Sequence, residues 1–132
     1  MYDEEEEVNE MYFITTGTVS VGFSLYMNGH SKGAKSIEMT YDMTAPSTFG
    51  GYYLTRNLRS QFLYKANTNV EMFSLSKEFL FKNIATKFPV MFDTIKEYTK
   101  TRYQVISSHV LPHKNSAFLT LNSRATYKYT LL

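Results

Sequence analysis

The apolar residues of this chain change their spacing once, near Ser76, and that change most constrains the fold. Before Ser76 they alternate with polar residues, as in Thr18-Val19-Ser20-Val21, which is the period of a strand with one buried face. After it, Leu80, Ile84 and Phe88 are four residues apart, the spacing of one helix face. Strands followed by helices predict an α+β domain.

The segment before Ser76 is predicted to hold the strands. Gly17 follows the apolar run Met11–Ile14, and because glycine takes the positive φ of a tight turn, a hairpin is expected there. The second strand is expected to run towards Tyr26, and the glycine-containing stretch Asn28–Gly33 is expected to be a loop. Further strands are predicted at 34–41, 61–66 and 70–75, the last two joined by turn-forming residues at 67–69.

Two helices are predicted after the strands. Ser76 is expected to cap the first, and Phe88-Pro89 to end it, with Pro89 in the first turn of the second helix. The second helix is expected to end near Ser108, and weak alternation over 117–131 predicts a late hairpin. The apolar stripe of the second helix, expected in a core or an interface, comprises Met91, Ile95, Tyr98, Arg102 and Val105.

Composition excludes several classes of function. The 132 residues are 43% hydrophobic and 20% charged, as in a globular domain. The sequence has no cysteine, which excludes disulfides, thiolate zinc sites and a cysteine nucleophile. His109 and His113 are separated by Pro112 and have no acidic neighbour, which argues against a metal site. The sequence shows no catalytic Ser/His/Asp set, carboxylate pair or phosphate loop, so a non-enzymatic role is expected.

Charge is divided unevenly along the chain. Six of the twelve acidic residues lie within the first ten positions, which hold no basic residue, whereas the rest of the chain carries all fourteen Lys and Arg. The basic residues are scattered singly, which favours a solvated surface over a nucleic-acid patch. We therefore divide the chain into an acidic N-terminal arm at 1–10, a folded domain at 11–108 and a C-terminal tail at 109–132.

Two stretches resemble cyclic-nucleotide-binding domains, most closely those at the cytoplasmic C-terminus of voltage-gated and cyclic-nucleotide-gated cation channels. EVNEMYFITTGTVSVG (Glu7–Gly22) is similar to the early hairpin of the family. FGGYYLTRNLRSQFLYKANTNVEMFSLSKEFL (Phe49–Leu80) is similar to its phosphate-binding cassette and the elements that follow. Lys87-Phe88-Pro89 resembles the join to the final helix. The resemblance covers residues 5–108 and implies an antiparallel β-roll, a type of jelly roll, followed by two C-terminal helices, with no cofactor apart from cAMP or cGMP as ligand.

In this family the cassette opens with Phe-Gly-Glu, the glutamate binds the ribose 2′-OH, and an arginine some ten residues on pairs with the cyclic phosphate. Phe49 and Gly50 match the opening, but Gly51 stands in place of the glutamate. Arg59 falls one position before the usual arginine, whose position Ser60 holds. A glutamate at position 51 is expected to restore part of the binding. The resemblance thus implies a degenerate nucleotide site formed by Phe49, Gly50, Gly51, Tyr52, Leu54, Arg59, Ser60 and Gln61.

The resemblance also implies a truncated roll. The family has a helix and two strands before the segment that matches Glu7, whereas six residues precede Glu7 in this sequence. The strand Tyr12–Ile14 is therefore expected to lack a neighbour. Unpaired backbone groups and apolar surface at that edge would make the chain associate.

Three functions follow from these observations. The first is a non-catalytic cyclic-nucleotide-binding-homology module that acts through protein–protein interaction and has a degenerate pocket. The second is a competent cAMP or cGMP sensor that regulates a cation channel or kinase, and the third is a structural subunit of a large assembly. The expected partners are other protein chains in an assembly or channel, without nucleic acid or direct membrane insertion. The expected location is intracellular, on the cytoplasmic side, either free or peripheral to a membrane or cytoskeletal complex.

Overall fold

The computed structural model describes residues 2–26 and 35–130 of the chain. Within these residues six strands form two antiparallel sheets, and helices follow, which confirms the predicted α+β class and the antiparallel roll. The strands are β1 (Glu10–Thr16), β2 (Thr18–Tyr26), β3 (Lys35–Thr44), β4 (Ser47–Phe49), β5 (Leu63–Ala66) and β6 (Glu71–Ser76). The helical elements are α1 (Gly51–Thr55), α2 (Lys77–Phe79) with a π-helical continuation over Leu80–Ala85, and α3 (Pro89–Thr130). The predicted loop Asn28–Gly33 lies outside the described residues.

The two sheets have the strand orders β4-β1-β6 and β3-β2-β5. The hairpin expected at Gly17 is therefore wrong, because β1 and β2 are consecutive but belong to different sheets. The connection from β5 to β6 passes from one sheet to the other next to Gly17. There the Thr18 amide donates to Oγ1 of Thr68 at 3.0 Å, and the Asn67 amide donates to the Thr18 carbonyl at 2.9 Å. Alternation predicts a strand correctly, but it does not say which strand is its neighbour.

The core lies between the two sheets and one side of α3. Strand β2 supplies Val19, Val21 and Phe23, whose exposed fractions are 1% or less. Their alternation along β2 is the pattern that the sequence predicts. From the helix, Ile106 and Val110 complete this core.

The acidic arm packs against the domain beside β5. Its residues run antiparallel to the segment before and into β5, with bridges between Tyr2 and Tyr64 and between Glu7 and Arg59. The Glu5 amide donates to the Ser60 carbonyl at 2.7 Å, and the Tyr64 amide donates to the Tyr2 carbonyl at 2.9 Å. The arm thus covers an edge of the β3-β2-β5 sheet.

The expectation that Tyr12–Ile14 lacks a neighbour is wrong. These residues belong to β1, the central strand of its sheet, which pairs with β4 on one side and β6 on the other. The arm joins the other sheet instead, through its bridges to Arg59 and Tyr64.

The two predicted helix starts are confirmed, and the predicted helix end is wrong. Ser76 Oγ accepts a hydrogen bond from the Phe79 amide at 3.1 Å, and α3 begins at Pro89. Helix α3 continues through Ser108 to Thr130, with Pro112 inside it, so the late hairpin over 117–131 is also wrong. Weak alternation over a few residues does not distinguish strand from helix.

The buried face of α3 differs from the predicted stripe. Met91 and Tyr98 are 50% and 54% exposed, whereas Thr99, Ile106 and Val110 are buried. Within the predicted stripe, Ile95 packs against the core. Met91 and Tyr98 lie on the exposed side, because the stripe follows the apolar residues and omits the buried Thr99. No described helix combines the length and hydropathy that a membrane span requires.

We expect Gly17→Val to destabilise the fold strongly. Gly17 has a φ of 96°, and a Cβ at this position would lie 3.0 Å from Val70 Cα and closer still to the Asn69 carbonyl oxygen. Strain and overpacking of this kind cost about 1–3 kcal/mol each. Chemical denaturation measures the loss, and Thr16→Val, at an exposed neighbouring position, is the control that should change little. Equal stability of the two variants would contradict the close packing of Asn69 and Val70 against Gly17.

Candidate functional site

The segment that resembles a phosphate-binding cassette begins where β4 ends. Phe49 is buried, and Gly50 follows it with a φ of 92°, a conformation that favours glycine. Gly50 caps α1, and its carbonyl accepts a hydrogen bond from the Leu54 amide at 3.1 Å. Leu54 itself is fully buried in the core. The Phe-Gly turn and the short helix therefore have the local form that the resemblance implies.

An aromatic cluster fills the space in front of this turn. The Tyr2 ring of the arm lies 5.7 Å from the Phe49 ring and 5.5 Å from the Tyr12 and Tyr64 rings, measured between centroids. Phe49 stacks on Tyr64 at 4.9 Å. The Tyr2 hydroxyl donates to the Glu10 carbonyl and abuts Gly50, leaving no room for a Cβ there. Tyr2 thus occupies the face of the turn that points into the roll.

Helix α3 covers the start of α1. A Cβ at Gly51 would lie 3.0 Å from Cε of Met11 and well inside contact distance of Cγ2 of Thr99. Gly51 is the position at which the resemblance implies a ribose-binding glutamate. Because Thr99 stands directly over it, this conformation leaves no path for a longer side chain. The expectation that Gly51→Glu restores binding is therefore replaced by an expected clash.

Side chains of α3 hold the helix over the cassette. The Tyr103 hydroxyl donates to Oε1 of Gln61, and its ring meets the Tyr52 ring edge-on with centroids 3.9 Å apart. Arg102 Nη2 donates to Oγ of Ser47 at 2.9 Å. These contacts hold α3 against β4, through Ser47, and against the residues before β5, through Gln61.

One lysine joins α3 to the arm as well. Lys114 Nζ lies 3.2 Å from a carboxylate oxygen of Glu4 and 3.5 Å from the Gln61 carbonyl oxygen. Both side chains of this ion pair are less than one-fifth exposed, so screening by solvent weakens it less than a surface pair. The arm, the cassette and α3 therefore meet at this point.

The space left between the cassette and α3 is very small. The cavity has a volume of about 10 Å³, and its lining includes Gly50, Gly51, Thr99 and Tyr103. That volume suits about one water molecule, whereas a pocket for a drug-sized ligand has roughly 300–1,000 Å³. The lining residue Arg102 has a buried Nε without a hydrogen-bond partner among the described residues, which a single water would satisfy. A cyclic nucleotide does not fit here unless α3 moves.

The structure brings only part of the predicted site together. Phe49, Gly50, Gly51 and Tyr52 line the small cavity. Arg59 does not reach it; its Nη1 donates to the Glu5 carbonyl at 2.9 Å in an exposed position.

The remaining predicted site residues have structural contacts of their own. Ser60 is buried and its hydroxyl donates to the Phe62 carbonyl at 2.7 Å, while Gln61 accepts from Tyr103 and Leu54 lies in the core. Their role towards a nucleotide stays a prediction.

Sequence reasoning missed the residues that close the site. Thr99, Tyr103 and Lys114 come from α3, and Tyr2 comes from the arm. Thr99 is polar and gave no apolar signal, and Tyr2 lies next to a run of acids that indicated a solvated segment. The absence of a side chain at Gly51 was the one visible sign that another element approaches the cassette closely.

Burial raises the pKa of the tyrosines in this cluster. For Tyr2, Tyr53 and Tyr64 the largest cause of the raised pKa is loss of solvation of the charged phenolate. Neighbouring phenols raise the pKa further, as does Glu10 for Tyr2, whereas the hydrogen bond with Tyr64 opposes the rise of the Tyr53 pKa. The Tyr53 and Tyr64 hydroxyls lie 3.0 Å apart in a buried hydrogen bond. The cluster is therefore held neutral, and it offers no positive charge to an anionic ligand.

The fold of this chain is similar to that of solved structures with bound cyclic nucleotides. The EAL enzyme Bd1971 in its cAMP-bound form has a TM-score of 0.53 and 15% identity, over 93% of this chain and 31% of that one. Its cGMP-bound form has a TM-score of 0.50 and 16% identity, over 76% and 25%. The regulatory domain of Toxoplasma gondii PKA, co-crystallised with cAMP, has a TM-score of 0.50 and 12% identity, over 74% and 35%.

The fold is that of cyclic-nucleotide-binding domains. At these identities the likeness shows the fold alone, and this chain spans about a quarter to a third of the length of those proteins. No protein-family model and no curated protein matches the sequence. The cation-channel type of the resemblance stays a prediction.

We expect Gly51 and Thr99 to be coupled energetically. Gly51→Ala should cost about 1–3 kcal/mol by overpacking, which outweighs the ~0.5–1 kcal/mol that alanine gains over glycine inside a helix. Thr99→Ser removes Cγ2 but keeps the hydroxyl that donates to the Lys96 carbonyl at 3.0 Å. In that background the cost of Gly51→Ala should fall, and a double-mutant cycle measures the coupling. Additive effects would show that α3 does not pack on the cassette in solution.

The raised tyrosine pKa values predict a loss of stability in alkali. An unfolded tyrosine ionises near pH 10, whereas a phenol with a raised folded pKa stays protonated, so stability is fully present below that pH and falls as pH rises above it. Each phenol adds a slope of about 1.4 kcal/mol per pH unit between its two pKa values.

Urea unfolding between about pH 9 and 11 measures this alkaline slope. Tyr64→Phe should make the slope shallower, because one buried phenol no longer ionises on unfolding. Tyr98→Phe, on the exposed side of α3, is the control. A natural chain whose free energy of unfolding stays constant over this range would contradict the prediction.

Proposed function

We propose that this chain is a non-catalytic module with the cyclic-nucleotide-binding fold, that it acts through contacts with other proteins, and that its own side chains close its nucleotide pocket. The observation that carries the proposal is the position of Thr99 directly over Gly51. This contact puts α3 where a ribose-binding side chain would extend. The cavity of about 10 Å³ that remains supports the same conclusion.

The polar residues of the predicted pocket support this proposal because they already have partners within the chain. Arg59 donates to the Glu5 carbonyl, and Gln61 accepts from Tyr103. Arg102, the basic residue that lines the cavity, already donates through Nη2 to Ser47, so a cyclic phosphate would have to break this contact or enter unpaired. Burying an unpaired charge costs several kcal/mol, so binding is expected to be weak.

A competent sensor is the second candidate function, and the cyclic-nucleotide-bound state of the similar solved structures favours it. In this alternative, cAMP or cGMP enters when α3 moves off the cassette. The apparent affinity then falls in proportion to the fraction of molecules in the open state. The two candidates therefore differ in what happens when the contacts of α3 are weakened.

Calorimetry with cAMP and with cGMP tests the proposal. The natural chain should show no binding tighter than about 100 μM, or roughly 5.5 kcal/mol. The double variant Tyr103→Ala/Lys114→Ala removes the contacts of α3 with Gln61 and Glu4 and keeps Arg102 in the cavity lining. It should also fail to bind if the pocket is degenerate. Tyr98→Ala, at an exposed position on the same helix, is the control.

Two results would replace the proposal with the sensor function. One is micromolar binding by the natural chain. The other is binding that appears in the double variant but not in Tyr98→Ala, which would mean that the pocket is competent and that α3 gates it. Thermal unfolding of each variant without ligand verifies that the fold is retained.

The partners proposed for this module are protein chains of a larger intracellular assembly or a channel. As a structural subunit, the third alternative, the chain would co-purify in fixed stoichiometry at high salt. As a regulatory module, it would associate reversibly. Affinity purification at low and high salt separates these two forms of the proposal.

A further inference from the structure

Strand β6 has one paired edge and one open edge. It pairs with β1 over its whole length, and no strand among residues 2–26 and 35–130 pairs with its other side. An open edge presents a row of backbone donors and acceptors that another strand can pair with. This edge is six residues long, Glu71–Ser76, which is an ordinary strand length.

The strand is also poorly covered on its faces. None of its six residues is buried, and Phe73 is 71% exposed. Phe73 lies directly opposite Phe13 of β1, which is 39% exposed, in the register of the sheet. The two phenylalanines therefore form an exposed aromatic row that runs across the sheet and ends at the open edge.

The other long open edge carries the charges that usually prevent strand addition. On β3, Glu38 and Asp42 are exposed, and charged side chains on an edge strand oppose pairing with another chain. The edge of β5 is covered by the N-terminal arm. Strand β6 has a single charge, Glu71, at its first position, and no proline, glycine or lysine. It is thus less protected than the edges of β3 and β5.

We propose that β6 pairs antiparallel with β6 of a second copy of this chain, with Phe73 opposite Phe73 of the second copy. A twofold axis through this position keeps the same face of both sheets on the same side, since directly opposite residues share a face. The aromatic row then continues as Phe13, Phe73 and the same two residues of the second copy. Aromatic cross-strand pairs of this kind stabilise sheets.

This register also avoids repulsion between like charges. Glu71 of one copy lies opposite Leu75 of the other, and Met72 lies opposite Ser74. A helix or loop of another protein would cover the phenylalanines but leave the strand edge unpaired, whereas a second copy pairs the edge and extends the row at once. The interface is at the small end for protein complexes, so the dimer should depend on concentration. The inference does not depend on the state of the nucleotide pocket.

Sedimentation of the full chain without nucleotide tests the dimer. The natural chain should shift from monomer to dimer as its concentration rises, and Phe73→Lys should weaken dimerisation at least tenfold, by about 1.4 kcal/mol. Ile37→Lys, on β3 and 47% exposed, is the matched control and should dimerise like the natural chain. A monomer at all concentrations, or equal dimerisation of Phe73→Lys and the natural chain, would overturn the proposal.

The absence of cysteine allows a second test that does not depend on a disruptive variant. Opposite residues of antiparallel strands have Cα atoms about 4.5–5.5 Å apart, within the range of a disulfide. The variant Met72→Cys/Ser74→Cys keeps Phe73 and places cysteines of the two copies opposite each other, so it should cross-link two copies under mild oxidation. Val90→Cys, at a position 78% exposed on α3, should not. Equal rates of cross-linking for the two variants would show random collision and refute the pairing.

Discussion

The contact between α3 and the cassette at Gly51 is the constraint on which the rest of the structure depends. Thr99 Cγ2 lies well inside contact distance of the position that a Cβ at Gly51 would take, so α3 lies at a small height above the cassette. At that height Tyr103 reaches Gln61 and Arg102 reaches Ser47. The missing side chain at Gly51 thus allows α3 to pack closely over the cassette.

The N-terminal arm completes the same closure from the opposite direction. Its backbone pairs with the segment leading into β5, and this pairing delivers Tyr2 to the aromatic cluster against Gly50. Lys114 bonds to both Glu4 and the Gln61 carbonyl. Because one side chain joins the arm, the cassette and α3, a displacement of the helix would break contacts with both of the others. The acidic arm is therefore a structural part of the site.

Structure that depends on adjacent residues could be predicted from the sequence, whereas contacts between residues far apart in the chain could not. The alternation of β2, the cap at Ser76 and the helix start at Pro89 each depend on adjacent residues, and the structure confirms them. The Phe49-Gly50 turn was predictable because few residues other than glycine take its φ. The sheet partner of β1 and the contact of Tyr2 depend on residues dozens of positions away, which no local pattern records. The buried face of α3 was missed because the residue that fixes it, Thr99, is polar.

The departures from the family pattern and the internal contacts occur at the same positions. Phe49 and Gly50, which build the turn, are retained, whereas Gly51 and Arg59 differ from the ligand-binding pattern that the resemblance implies. In the structure Gly51 meets Thr99, and Arg59 bonds to the Glu5 carbonyl. Each departure therefore contributes a contact to one of those two elements, and the sequence differences support the conformation in which α3 and the arm lie against the cassette.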